Sequence, residues 1–134
     1  AALMLGAKGV QIGTRFVATR ECQVHQNYKD CILKAKDIDT RVTGRSTGHP
    51  VRALRNQMTR KYLELEKKGA SLEELEYLAL GALRKAVIEG NVNEGSVMSG
   101  QIAGLIREEL TCEQVMQKLV TEADALLSGG WMQA

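Results

Sequence analysis

Gly9-Val10-Gln11-Ile12-Gly13-Thr14-Arg15-Phe16 is the stretch on which the fold class of this chain turns. Val10 and Ile12 alternate about Gln11, the pattern of a short strand. The run stops at Gly13-Thr14, and a short turn of helix is expected over Arg15 to Ala18. A strand that gives way so quickly to helix gathers free backbone N–H groups at one point, where an anion such as phosphate is held. The chain opens on Ala1 rather than Met, and the motif lies close to it. The expectation is therefore a C-terminal piece of a larger protein, entered in mid-fold.

Outward from this motif, helices dominate. Ala1 to Leu5 reads as the end of a helix stopped by Gly6. A helix is expected from Asn27 to Ala35, with Tyr28, Cys31, Ile32 and Ala35 on one face. Thr40 to Val51 reads as irregular, punctuated by Gly44, Gly48 and Pro50, with a brief strand at Arg41 to Thr43. Asn56 to Lys68 is helical, with Met58, Tyr62 and Leu65 at helical spacing and Gly69 as its stop. Ser71-x-x-Glu74 is a capping box opening an amphipathic run. Its expected buried face is Leu72, Leu75, Ala79, Ala82, Leu83, Ala86 and Val87, and Gly81 marks a place where two helices could meet. Ser96 to Met98 reads as a short extended piece, and Gly100 to Glu108 as a further helix. Thr111, with Gln114 three residues on, caps the last helix, whose expected apolar face is Val115, Leu119, Ala123 and Leu126. Ser128 to Ala134 reads as a frayed tail.

Composition narrows the function classes. The 134 residues, 44% of them hydrophobic, suffice for a real core. The net charge of +2 is too small to argue for nucleic acid. No apolar run is long enough to span a membrane. Cys22, Cys31 and Cys112 are an odd number without framework spacing, which reads as reduced thiols and a cytoplasmic protein. Cys22, His25 and Cys31 lie near one another in sequence, but no fourth ligand is suitably spaced, so no metal site is expected. Charge is unevenly spread. Arg41 to Lys68 holds eight Lys/Arg against two acids, Glu64 and Glu66, whereas Ser71 to Ala134 holds four against ten. The basic stretch reads as solvated surface, or as a docking patch for an acidic partner through Arg41, Arg45, Arg52 and Arg55.

One good strand and two scraps against five or six helices do not close a sheet. The fold class expected is α/β: the C-terminal part of a (β/α)8 TIM barrel, contributing the last barrel strand and a mostly helical C-terminal region. Such barrels bind phosphate at their late βα loops. The expected divisions are 1–36, the end of the barrel; 37–70, an irregular basic segment and helix; and 71–134, a helical region.

Ala7 to Phe16 resembles the last barrel strand of the nitronate monooxygenase/2-nitropropane dioxygenase family. Gly48-His49-Pro50-Val51-Arg52-Ala53-Leu54-Arg55-Asn56 and Gly95-Ser96-Val97-Met98-Ser99-Gly100-Gln101-Ile102-Ala103-Gly104-Leu105 are more similar to one branch, the FMN-dependent enoyl-acyl-carrier-protein reductases II. The resemblance covers nearly the whole chain and fades in the tail. It implies an FMN-bearing barrel in which NADH or NADPH is the reductant and a trans-2-enoyl thioester on acyl carrier protein is the substrate, in fatty-acid biosynthesis. It places the flavin phosphate at Gln11, Gly13 and Thr14. The family's catalytic histidine matches neither His25 nor His49 and is expected upstream of Ala1, so no catalytic residue is assigned. A homodimer is expected. Two alternatives stand beside this reading: an FMN-dependent nitronate monooxygenase, and a non-enzymatic helical interaction module built from Ser71 onward.

Overall fold

The structure is a computed structural model, and it describes residues 1–129. Trp131 and the end of the expected frayed tail lie outside the described residues. Six α-helices, one 3₁₀ helix and a two-stranded antiparallel sheet make up the described chain.

The N-terminal stretch departs from expectation. Leu5 N–H donates to Ala1 O at 3.1 Å, a single helical turn rather than a helix end. Gly9 to Ile12 forms no strand. A strand exists only through its ladder, and among the described residues no backbone hydrogen bond is made by this run. Val10 is accordingly exposed and Ile12 half-buried. Helix α1, Thr14–Val17, follows at once, as the sequence reading anticipates.

Helix α2, Gln26–Lys34, begins at His25, whose Nδ1 accepts the Asn27 N–H at 3.1 Å. Tyr28, Ile32 and Ala35 are buried as expected, and Lys29 is buried beside them. Strands β1, Thr40–Thr43, and β2, Val51–Leu54, pair from Thr40 opposite Leu54 to Thr43 opposite Val51. The stretch read as irregular is therefore half hairpin, because Gly44 to Pro50 returns β2 onto β1. An extended segment, Ser96–Gly100, runs along the outer edge of β2: Leu54 N–H donates to Val97 O at 2.9 Å and Ser99 N–H to Arg52 O at 3.1 Å.

Helix α3, Gln57–Lys67, carries a full capping box between Asn56 and Thr59. Helices α4, Leu72–Ala79, and α5, Ala82–Val87, meet at Gly81, whose φ of 72° breaks one amphipathic run into two. The break spoils the single face. Leu75, Ala82 and Ala86 are buried, but Leu72, Ala79 and Leu83 are exposed. The helix expected from Gly100 is a 3₁₀ turn, Gln101–Leu105, ending where Ile106 turns extended and buries itself. A Cβ at Gly104 would lie 2.5 Å from the Asp37 backbone nitrogen, so the turn is pressed directly onto the chain that leaves α2. The last helix, α6, Cys112–Leu127, has the predicted Thr111–Gln114 box. Of its expected apolar face only Val115 is buried; Leu119 and Leu126 stay exposed and line, with Leu3 and Met4, a groove of about 400 Å³. Amphipathic spacing gives a helix an apolar side without supplying what covers it.

The main core joins Ala18, Tyr28, Ile32, Leu54, Ala86, Val97, Ala103 and Ile106. It draws on all three expected divisions of the chain. A second cluster, Met58, Tyr62, Leu75 and Ala82, sits between α3, α4 and the start of α5.

Candidate functional site

Gln11 and Gly13 are exposed and Thr14 is half-buried at the head of α1. Among the described residues, no acceptor meets the N–H groups of Gln11, Gly13, Thr14 or Arg15, the donors that a helix start leaves free. Among the described residues, nothing lies within 4 Å of where a Gly13 Cβ would stand, and φ of −100° there is open to any residue. Arg15 turns away and donates to Glu108 O at 2.9 Å.

The extended segment Ser96–Gly100 brings together the distant stretches singled out in the sequence. Gly100 N–H donates to the Thr14 hydroxyl oxygen at 2.8 Å, tying the loop to residues 86 positions away. Two residues earlier, Met98 O accepts the Tyr28 hydroxyl at 2.7 Å. Burial pushes that phenol up to about 12, so it remains a protonated donor. Asn56 spends its side-chain amide on Val92 O and Gly95 O, both at 2.7 Å, and so pins the loop that leads into the segment. Sequence reading missed Tyr28 and Asn56 as organising residues. Their hydrogen-bonding ends were visible, but not the carbonyls that they reach.

A second polar junction ties the chain beyond α1, and the start of α2, to the segment that leads into α6. Lys29, buried, is paired with Glu109 at 3.1 Å. The amide of Gln26, and then the Lys29 ammonium, hold the Glu109 carboxyl below its ordinary value. Glu21 accepts the Cys112 N–H with both carboxylate oxygens at 2.9 and 3.0 Å, which lowers its own value and caps α6 from outside.

The four arginines of the basic stretch do not make one patch. Arg41 and Arg52 belong to opposite faces of the hairpin by its register. Arg41 donates to Ile38 O and Thr40 O, and Arg52 to the Thr40 hydroxyl. Arg55 pairs with Asp39 at 3.4 Å, and Arg45 is exposed. His25 is committed to its cap, and among the described residues no group of three or more His, Cys, Asp or Glu is placed to hold a metal. No helix among them is long and apolar enough to cross a membrane.

The family model for nitronate monooxygenase matches residues 1–122. The chain belongs to the nitronate monooxygenase family. A protein of Bacillus subtilis (strain 168) described as "Probable nitronate monooxygenase" is 30% identical over 91% of this chain and 35% of its own length. A carboxyl-CoA dehydrogenase of Rhodococcus jostii is 26% identical over 92% of this chain and 45% of its own. The solved structure of FabK from Thermotoga maritima superposes with a TM-score of 0.91 at 41% identity, covering 99% of this chain and 42% of that one. The chain thus spans less than half the length of each.

Proposed function

We propose that the whole protein is an FMN-dependent oxidoreductase of the (β/α)8 class, that it reduces trans-2-enoyl-acyl-carrier-protein with NADH or NADPH, and that Gln11, Gly13 and Thr14 hold the flavin phosphate. The observation that carries this reading is the 41% identity to FabK, of the enoyl reductase II branch, along 99% of the chain. The residues present fit the cofactor. Free N–H groups at Gly13, Thr14 and Arg15, with open space above Gly13, are the donor set that a phosphate dianion takes. When bound, FMN would supply hydride transfer between reductant and enoyl thioester. This chain's part is to fix the phosphate end, through backbone donors on a loop anchored to Ser96–Gly100. An acidic acyl carrier protein would be steered by Arg45 and Arg55, which are exposed where Arg41 and Arg52 are half-buried.

The second reading is a nitronate monooxygenase, favoured by the description of the Bacillus subtilis relative. The carboxyl-CoA dehydrogenase leans the other way, since its name carries a thioester. Family membership favours either enzyme over a helical interaction module. The purified whole protein, assayed with NADH and crotonyl or longer enoyl thioesters and in parallel with alkyl nitronates and oxygen, decides between them. Reductase turnover is expected. Efficient nitronate oxidation without enoyl reduction would transfer the assignment to the second reading.

A further inference from the structure

Thr14 and Gly100 are 86 residues apart and share one hydrogen bond at 2.8 Å. A hydroxyl has one proton and two lone pairs. The Gly100 N–H occupies a lone pair, so the Thr14 proton points elsewhere, and among the described residues no acceptor takes it. Thr19, four residues beyond the loop, shows the ordinary arrangement. Its hydroxyl donates to Phe16 O, three residues back, at 2.7 Å. Among the described residues the Thr14 hydroxyl makes no such bond to its own helix and meets only the Gly100 N–H.

Gly100 has φ −68° and ψ 164°, an extended conformation open to every residue, proline included. Its backbone therefore does not demand glycine. What limits the position is proximity: a Cβ there would stand 3.3 Å from the Thr14 hydroxyl oxygen, closer than ordinary contact. The Gly100 N–H is in turn carried by a segment fixed to the core through Leu54, Arg52 and Tyr28. The orientation of the Thr14 hydroxyl is thus set by the core as well as by its own loop.

We infer that Gly100 is a positioning residue for the flavin phosphate: its N–H holds the Thr14 oxygen so that the hydroxyl proton is left to donate to the phosphate. This rests on the phosphate placement proposed above and adds to it a residue outside the loop.

The test titrates the full-length protein with FMN and with riboflavin, which lacks the phosphate, following flavin fluorescence. Thr14→Val and Gly100→Pro should each weaken FMN about tenfold or more, the scale of a hydrogen bond to a charged group, and leave riboflavin unchanged. Thr14→Ser should retain FMN, since it keeps the hydroxyl. The double variant should be little worse than either single one, because both remove the same interaction. Equal losses on both flavins, an unchanged FMN affinity in Gly100→Pro, or additive losses would overturn the inference. Should Gly100→Pro fail to fold, Gly100→Ala replaces it: it keeps the N–H and pushes the hydroxyl aside, and an unaltered preference for FMN would be equally fatal. A wild-type protein that binds both flavins alike would remove the phosphate placement itself, and this inference with it. A preference for FMN that survives every variant removes the inference alone.

Discussion

Gly13 and Glu109 show how differently two single positions can depend on their surroundings. Gly13 has an open Cβ direction and an unrestricted backbone. Gly13→Val should leave the stability of the whole protein nearly unchanged while crowding the phosphate and deflecting its donors. Flavin retention through gel filtration, read beside a thermal melt, checks this; a variant that keeps its flavin would displace the phosphate from this loop. Glu109 is the opposite case, since its value comes from partners inside the fold. Its folded carboxyl lies below the ordinary 4.5 because Gln26 and Lys29 donate to the ionised form. A depressed carboxylate contributes fully above its unfolded value and loses that contribution as pH falls through the lowered folded value. Glu109→Gln should therefore lower the urea midpoint at pH 7, where it leaves the buried Lys29 ammonium without its counter-ion. It should also flatten the decline below about pH 4.5. Parallel midpoint curves for the two proteins from pH 7 to pH 3 would show that the pair carries no pH dependence. Lys118–Glu108, more than half exposed on both sides, should contribute little by contrast, because solvent and salt screen it.

Helix boundaries were legible wherever a side chain reaches its own backbone. Ser71–Glu74 and Thr111–Gln114 close as capping boxes where their spacing predicts them. α3 starts one residue after the expected boundary, and its cap does more than its sequence reveals. Asn56 accepts the Thr59 N–H at 2.9 Å with its oxygen while its amide nitrogen serves Val92 O and Gly95 O. Asn56→Ala should cost about 2 kcal/mol, a lost cap plus two carbonyls without their donor. Asn56→Asp should keep the cap and still lose the amide donors. Denaturation midpoints for the two variants separate the functions; identical stability for Asn56→Asp and the parent would mean that the loop contacts contribute nothing. The helix expected from Gly100 illustrates the reverse failure. Its composition permits α-helix, but Gly104 packs on the Asp37 backbone and Ile106 must enter the core, so the chain winds as 3₁₀ and then extends.

The core couples parts of the chain that local reading treated as separate. Ile32, fully buried, touches a cluster fed by α2, β2, α5 and the 3₁₀ turn. Ile32→Ala in the full-length protein should cost about 3 kcal/mol, the usual range for a large-to-small change at such a site. Hydrogen exchange at α2, at β2 and at Ser96–Gly100 should accelerate together. Faster exchange confined to α2 would mean that the cluster is not one cooperative unit.

Residue chemistry and spacing alone were enough for the caps at Ser71 and Thr111, for Gly81 as a place where two helices could meet, and for the family resemblance. Each of these depends on neighbours within a few positions, or on a motif that survives without its surroundings. The hairpin partner of β1, the Thr14–Gly100 bond, the reach of Tyr28 to Met98 and the exposure of most of the α6 apolar face were settled only in three dimensions. A ladder, a distant acceptor and a covering surface are all supplied by another part of the chain, and spacing along one segment carries no record of which part that will be. The run Gly9 to Ile12 joins both lessons: its alternation is that of a strand, and with no ladder partner among the described residues it is not one.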